Sequence, residues 1–164
     1  MCKGRDSLTD IQSTGLGDLE REWLHLVRLH CMSYEHNHAE GWDRAISHAE
    51  VKFGADNGPG IASRIAVLIR AMREERRGGF GYLSPFCPSC RLRVTEDEWQ
   101  LITLMQAGYR GEPHDIDEAA AEFARRSRAP VLAAAAARFG STLAAAVDPG
   151  KRQGAMPAPS LRLH

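Results

Sequence analysis

One stretch interrupts an otherwise helical sequence. Phe80-Gly81-Tyr82-Leu83-Ser84-Pro85-Phe86-Cys87-Pro88-Ser89-Cys90 carries glycine, two prolines and a Cys-x-x-Cys, and Arg91-Leu92-Arg93-Val94 follows. Proline lacks an amide donor, so it suits turns and sheet edges and not a helix interior or a central strand. The segment 80–94 therefore reads as a short β-hairpin with the two cysteines at its tip. The helices of the chain must pack around it.

Helical signals flank this segment on both sides. Asp18 caps a first helix in which Leu19, Trp23, Leu26, Val27, His30 and Tyr34 recur at helical spacing. Ser33–Asn37 is a polar break, and Asn37 with Glu40 resembles a capping box for a second helix marked by Trp42, Ala45, Ile46, Ala49 and Phe53. Gly54 stops it. A third helix carries Ile61, Ile65, Leu68, Ile69 and Met72 and ends in arginines before Gly78-Gly79. Thr95 and Glu98 form a capping box for a fourth, which Gly108 should end. Asp115 opens a fifth and Pro130 an alanine-rich sixth. Gly140 weakens that last helix by about 1 kcal/mol relative to alanine.

The expectation is a mainly α protein: a compact bundle of five to six helices with one short β-hairpin serving as a zinc knuckle. Residues 1–16 read as a flexible N-terminal arm, 17–148 as a single helical domain with the metal-binding hairpin at 80–94, and 149–164 as a disordered tail. A chain of 164 residues is long enough to bury a sufficient core without staples.

Formal charge is zero, so no whole-molecule field draws the chain to nucleic acid or membrane. Acidic and basic blocks alternate along it, which favours internal pairing in the folded state. No stretch approaches the ~18 apolar residues that cross a bilayer, and the start lacks the apolar centre of a signal peptide. The expected location is cytoplasmic, with no membrane partner. In a reducing compartment four cysteines point to metal or free thiols before disulfides.

Zinc takes four ligands in a tetrahedron, and a Cys-x-x-Cys turn aims two thiolates at one point. The order aromatic, Cys, Pro, x, Cys at Phe86–Cys90 resembles the knuckle of zinc ribbons and treble clefs. Those folds draw a second pair from the following helix start, but Thr95–Trp99 contains neither Cys nor His. Cys31 and His36 are the expected completion of the set with Cys87 and Cys90, with His38 as the alternative to His36. His30 points into an apolar face and His114 is a more distant option. Competing readings of the pair are unligated buried thiols, an iron–sulfur cluster that also uses Cys2, and a redox dithiol. The redox reading wants the first thiol at a helix start, and the clear helix start here is Thr95.

Other patterns are weaker. Glu22-x-x-His25 and Glu35-x-x-His38 have the spacing of di-iron bundles but sit close together across a helix break. The gap between the fourth and fifth helices is too long for a helix-turn-helix. Gly58-Pro59-Gly60 lacks the phosphate-loop pattern.

The leading functional expectation is a zinc-stabilised regulatory or adaptor protein acting through protein contacts. Self-association is plausible for the alanine-rich last helix. The alternative is a nucleic-acid-binding transcriptional regulator using Arg70, Arg73, Arg77, Arg91 and Arg93 beside the knuckle. The further alternative is a small metalloenzyme with an open zinc position and Glu35 as base. Catalysis is the less favoured of these, and the sequence names no catalytic residue.

Overall fold

The computed structural model describes residues 8–148. Six α-helices carry these residues: α1 Asp18–His36, α2 Glu40–Phe53, α3 Gly58–Glu75, α4 Glu96–Arg110, α5 Pro113–Ala124 and α6 Pro130–Val147. A two-residue antiparallel pair joins β1, Thr9–Asp10, to β2, Arg93–Val94, with Thr9 opposite Val94 and Asp10 opposite Arg93. All six helices feed one hydrophobic cluster, with Trp23, Leu26, Ile65, Leu68, Leu101, Phe123 and Phe139 at its centre. The strongest packing partners of α6 are α3 and α4.

The helix boundaries follow local chemistry. Thr95 and Glu98 make the expected capping box on α4: the Glu98 amide donates to Thr95 Oγ1 at 3.0 Å and the Thr95 amide to Glu98 Oε2 at 2.9 Å. Asn37 acts differently from its expected role. It takes a left-handed backbone (φ 50°) and closes α1, so the first helix runs to His36 and Ala39 is the residue that precedes α2. Gly108 lies inside α4, and Gly111 ends that helix.

Gly108 and Gly140 have a packing reason. A Cβ on Gly140 would run into the Gly108 carbonyl, and one on Gly108 would strike Ala136. The backbones of α4 and α6 cross at these two residues, at a distance no side chain tolerates. By length and composition α6 is apolar enough to cross a membrane. Its Leu132, Ala136, Phe139 and Leu143 are fully buried against the other helices.

The hairpin expected at 80–94 is replaced by something else. Residues 80–89 form no strand, and β2 pairs with the N-terminal segment. The reason lies in where the backbone donors go. Gly81 N–H donates to Asp97 Oδ2 at 2.7 Å and Leu83 N–H to Glu98 Oε1 at 3.0 Å. Carboxylates at the start of α4 thus take the amides a ladder would use. The sequence places residues 1–16 in a flexible arm; residues 9–14 hold β1 and a 3₁₀ turn, and Ile11 and Leu16 are buried. Residues 1–7 and the tail at 149–164 lie outside the described residues.

Candidate functional site: a dithiol on an anchored loop

The chain from Arg76 to Thr95 is long for a connection with so little regular structure, a class of loop that is either functional or a linker. Arg76 fixes its entry. Its buried guanidinium donates to the Phe123 carbonyl and to Asp97, and its Nε to the Gly79 carbonyl at 3.3 Å. It also lies over the Phe123 ring, 4.5 Å from the centroid. Arg77 N–H donates to the Ala124 carbonyl at 3.0 Å. Thr95 Oγ1 donates back to the Gly81 carbonyl at 2.7 Å, closing the base of the loop.

A buried ion pair ties the loop to α1. Arg28 Nε donates to Glu98 Oε1 at 2.7 Å and its terminal nitrogen to Oε2 at 2.9 Å. The same nitrogen also donates to the Arg93 carbonyl at 2.6 Å. The pair is almost solvent-free, with side chains 3 % and 0 % exposed. Glu98 therefore accepts from the guanidinium and from the Leu83 and Thr95 amides together, which satisfies a fully buried carboxylate. Tyr82 adds a contact further along α1 by donating its hydroxyl to Glu35.

At the tip, Cys87–Cys90 folds as a tight turn. The Cys90 and Arg91 amides both donate to the Cys87 carbonyl at 3.1 Å. The Cys90 amide also reaches Cys87 Sγ at 3.3 Å, and Ser89 Oγ lies 3.3 Å from the same sulfur. Cys87 is half-exposed and Cys90 is buried. Hydrogen bonds from the Cys90 thiol, the Ser89 hydroxyl and the Cys90 amide lower the Cys87 pKa to about 6. These donors favour the thiolate at this sulfur, the form that binds soft metals.

The other expected ligands are placed as follows. Cys31 is buried in α1, and burial together with Glu98 and Glu35 raises its pKa to about 12. His36 is the exposed last residue of α1. His38 is exposed and its Nδ1 accepts from the Glu40 amide at 3.1 Å. His36, His38 and Glu40 line a depression of about 210 Å³ that Phe86, next to Cys87, also lines. The full Cys31–His36–Cys87–Cys90 set is not assembled: among the described residues no three His, Cys, Asp or Glu side chains converge as a metal cluster. Cys2 lies outside the described residues.

The arginines of the nucleic-acid alternative are dispersed in role. Arg73 lies 4.4 Å over the Tyr34 ring, Arg91 opens onto a cavity beside α1, Arg93 is exposed and uses its carbonyl on Arg28, and Arg70 and Arg77 are exposed on and just after α3. Position 98 was legible as a helix cap, but its second partner, Arg28, lies 70 residues away and left no local signal.

Fold and site together define a six-helix protein that presents a dithiol turn on a pinned loop. Comparison with protein-family models, with curated proteins and with solved structures found no match to this chain.

Proposed function

We propose that this chain is a small regulatory or adaptor protein that acts through protein contacts made by its 80–94 loop, with zinc held by Cys87 and Cys90. The observation that carries the reading is the turn itself. Backbone donors to the Cys87 carbonyl and sulfur fix both cysteines in one turn, the arrangement a two-thiolate half-site needs. Two thiolates satisfy only half of a tetrahedral zinc. His36 and His38, on the depression that Phe86 shares, are the histidines best placed to add to them. Cys31 is buried in α1 and does not line that depression, so it is left out of the favoured set.

The contact surface is the apolar rim of the same loop. Phe86 and Leu92 flank the dithiol and are each 52 % exposed. Arg44 of α2 lies 5.0 Å from the Phe86 ring centroid and adds a cation to that rim. The test is native mass spectrometry with metal analysis of the purified chain. One zinc per chain is expected, lost in Cys87→Ser and Cys90→Ser and kept in Cys31→Ser. Zinc-free protein under reducing, chelator-free purification refutes the metal, and zinc lost in Cys31→Ser restores Cys31 as a ligand. The adaptor reading requires that self-association, or binding to a retrieved partner, falls in Phe86→Ser or Leu92→Ser with helicity unchanged.

A further inference from the structure

A second cluster of chemistry lies where the chain leaves the dithiol turn. Where α1, α2 and the segment just after Cys90 meet, a cavity of about 300 Å³ opens to solvent. That is the lower end of the range for small-molecule sites. Three titratable side chains stand together on its wall. His48 Nε2 and Glu22 Oε2 are 2.6 Å apart, and the His25 and His48 rings lie 4.4 Å apart between centroids. Lys52 Nζ sits 2.8 Å from the other Glu22 oxygen. Both oxygens of Glu22 are therefore occupied, and its charge is balanced within the wall.

The positive charge that remains is carried by other groups. Arg28 forms the back of the cavity, but its guanidinium is committed to Glu98 and to the Arg93 carbonyl. Arg21 and Arg91 reach the cavity from two different elements and are both exposed. Among the described residues the only ion pair of Arg21 is a loose one, 3.9 Å from Asp18. His25 is held toward its neutral form by burial and by the neighbouring His48, Arg28 and Lys52, against the pull of Glu22. An anion beside the ring would offset part of that effect and favour its protonated form. Between these polar groups the lining is apolar: Ile11 and Leu24 are buried there and Leu92 overhangs it.

We propose that this cavity binds a small phosphate monoester with an apolar substituent. The phosphoryl group sits between Arg21, Arg91 and His25, and the substituent lies on Leu24, Ile11 and Leu92. Donors arriving from α1 and from the loop suit a tetrahedral anion, whose oxygens point in several directions, better than a planar carboxylate. The apolar lining sets the ester apart from free phosphate. Lys52 and His48 both hold Glu22, and the His48 ring lies against His25 at a tilt of 53°, so the wall is built before the ligand enters.

Phenyl phosphate is the probe, followed by the imidazole carbon-bound proton signals of the full chain in NMR. His25 and His48 are expected to shift saturably, with His114 of α5 unmoved. Arg91→Ala and Arg21→Ala should each weaken the apparent affinity about tenfold while the remaining spectrum is retained. Inorganic phosphate and benzoate should each bind at least about tenfold more weakly than phenyl phosphate. No saturable shift at His25, or equal shifts in both arginine variants and wild type, overturns the site. Equal binding of benzoate overturns the phosphoryl assignment, and equal binding of inorganic phosphate overturns the role of the apolar lining. Arg21, Glu22, His25 and His48 lie on α1 and α2, and Arg91→Ala keeps the amide that donates to the Cys87 carbonyl, so phenyl phosphate binding and zinc content can be lost separately and the two readings are distinguishable.

Discussion

Two residues of one type behave oppositely because of what surrounds them. Cys87 is half-exposed with hydrogen-bond donors on its sulfur, and its pKa falls to about 6; Cys31 is buried near two carboxylates, and its pKa rises to about 12. In metal-free protein, iodoacetamide at pH 7 should modify Cys87 first, with a rate that rises through pH 6 and levels above it. Cys31 should react only on unfolding, so peptide mapping of briefly alkylated native protein should find it unmodified. Arg28 and Glu98 carry the opposite lesson about charge. Removing one partner strands the other in the core, so Arg28→Met or Glu98→Leu should each cost about 3–5 kcal/mol in urea denaturation. The Glu98 variant should be the worse, since it also strands the Leu83 and Thr95 amides. The double variant should be more stable than the sum of the two losses, because no unpaired charge remains.

At the scale of elements, the close crossing of α4 over α6 reverses a rule of helix propensity. Gly140→Ala should gain about 1 kcal/mol from propensity alone. Its Cβ, however, would strike the Gly108 carbonyl, and overpacking of a backbone contact costs more than that. The expected net result is a lower thermal midpoint. Gly60→Ala is the control, since its Cβ would meet only Thr142 Cγ2 at 3.9 Å and should be neutral or stabilising. This contrast marks where the sequence is readable. The capping box of α4, the Gly54 stop and the Pro130 start are local signals, and the structure has helix ends at all three. The crossing of Gly108 and Gly140 is tertiary, and nothing near either residue announces it. The same division explains the loop. Its prolines and glycines read correctly as a break in the helices, but the carboxylates that take its amides lie on α4 and gave no sign of doing so. The Cys87–Cys90 turn was legible from its spacing, whereas Glu22, His25 and His48 were dispersed until α1 and α2 packed together. Trp42 and Ile46 mark the same limit. Their spacing marked the second helix, and in it Ala45 and Ala49 take the buried face and leave both 41 % exposed.

For the whole molecule, the most consequential titration is inside the bundle. His30 on α1 is 2 % exposed, and among the described residues its ring nitrogens have at most a weak backbone contact with Ala62. Burial lowers its pKa from 6.5 to about 4, with the Ala62 backbone offsetting the effect only in part. Above pH 6.5 the imidazole is neutral in both folded and unfolded chains and stability does not depend on it. Below that value the unfolded chain takes up a proton that the native core refuses, so stability falls as pH drops toward about 4. The full window corresponds to a loss of about 3 kcal/mol, a large share of what holds a domain of this size together. Because α1 touches α2, α3 and α4, the loss should appear as one cooperative transition and not as fraying of a single helix. Urea midpoints measured at pH 7.5, 6 and 5 should decline steadily for the wild type. His30→Leu keeps the site filled without a titrating group, so its midpoints should decline much less over the same interval. A wild type whose midpoint is flat between pH 7.5 and 5, or a His30→Leu variant that declines in parallel with it, would show that acid sensitivity arises elsewhere. The carboxylates of the Arg28–Glu98 and Arg76–Asp97 pairs would then be the groups to replace next.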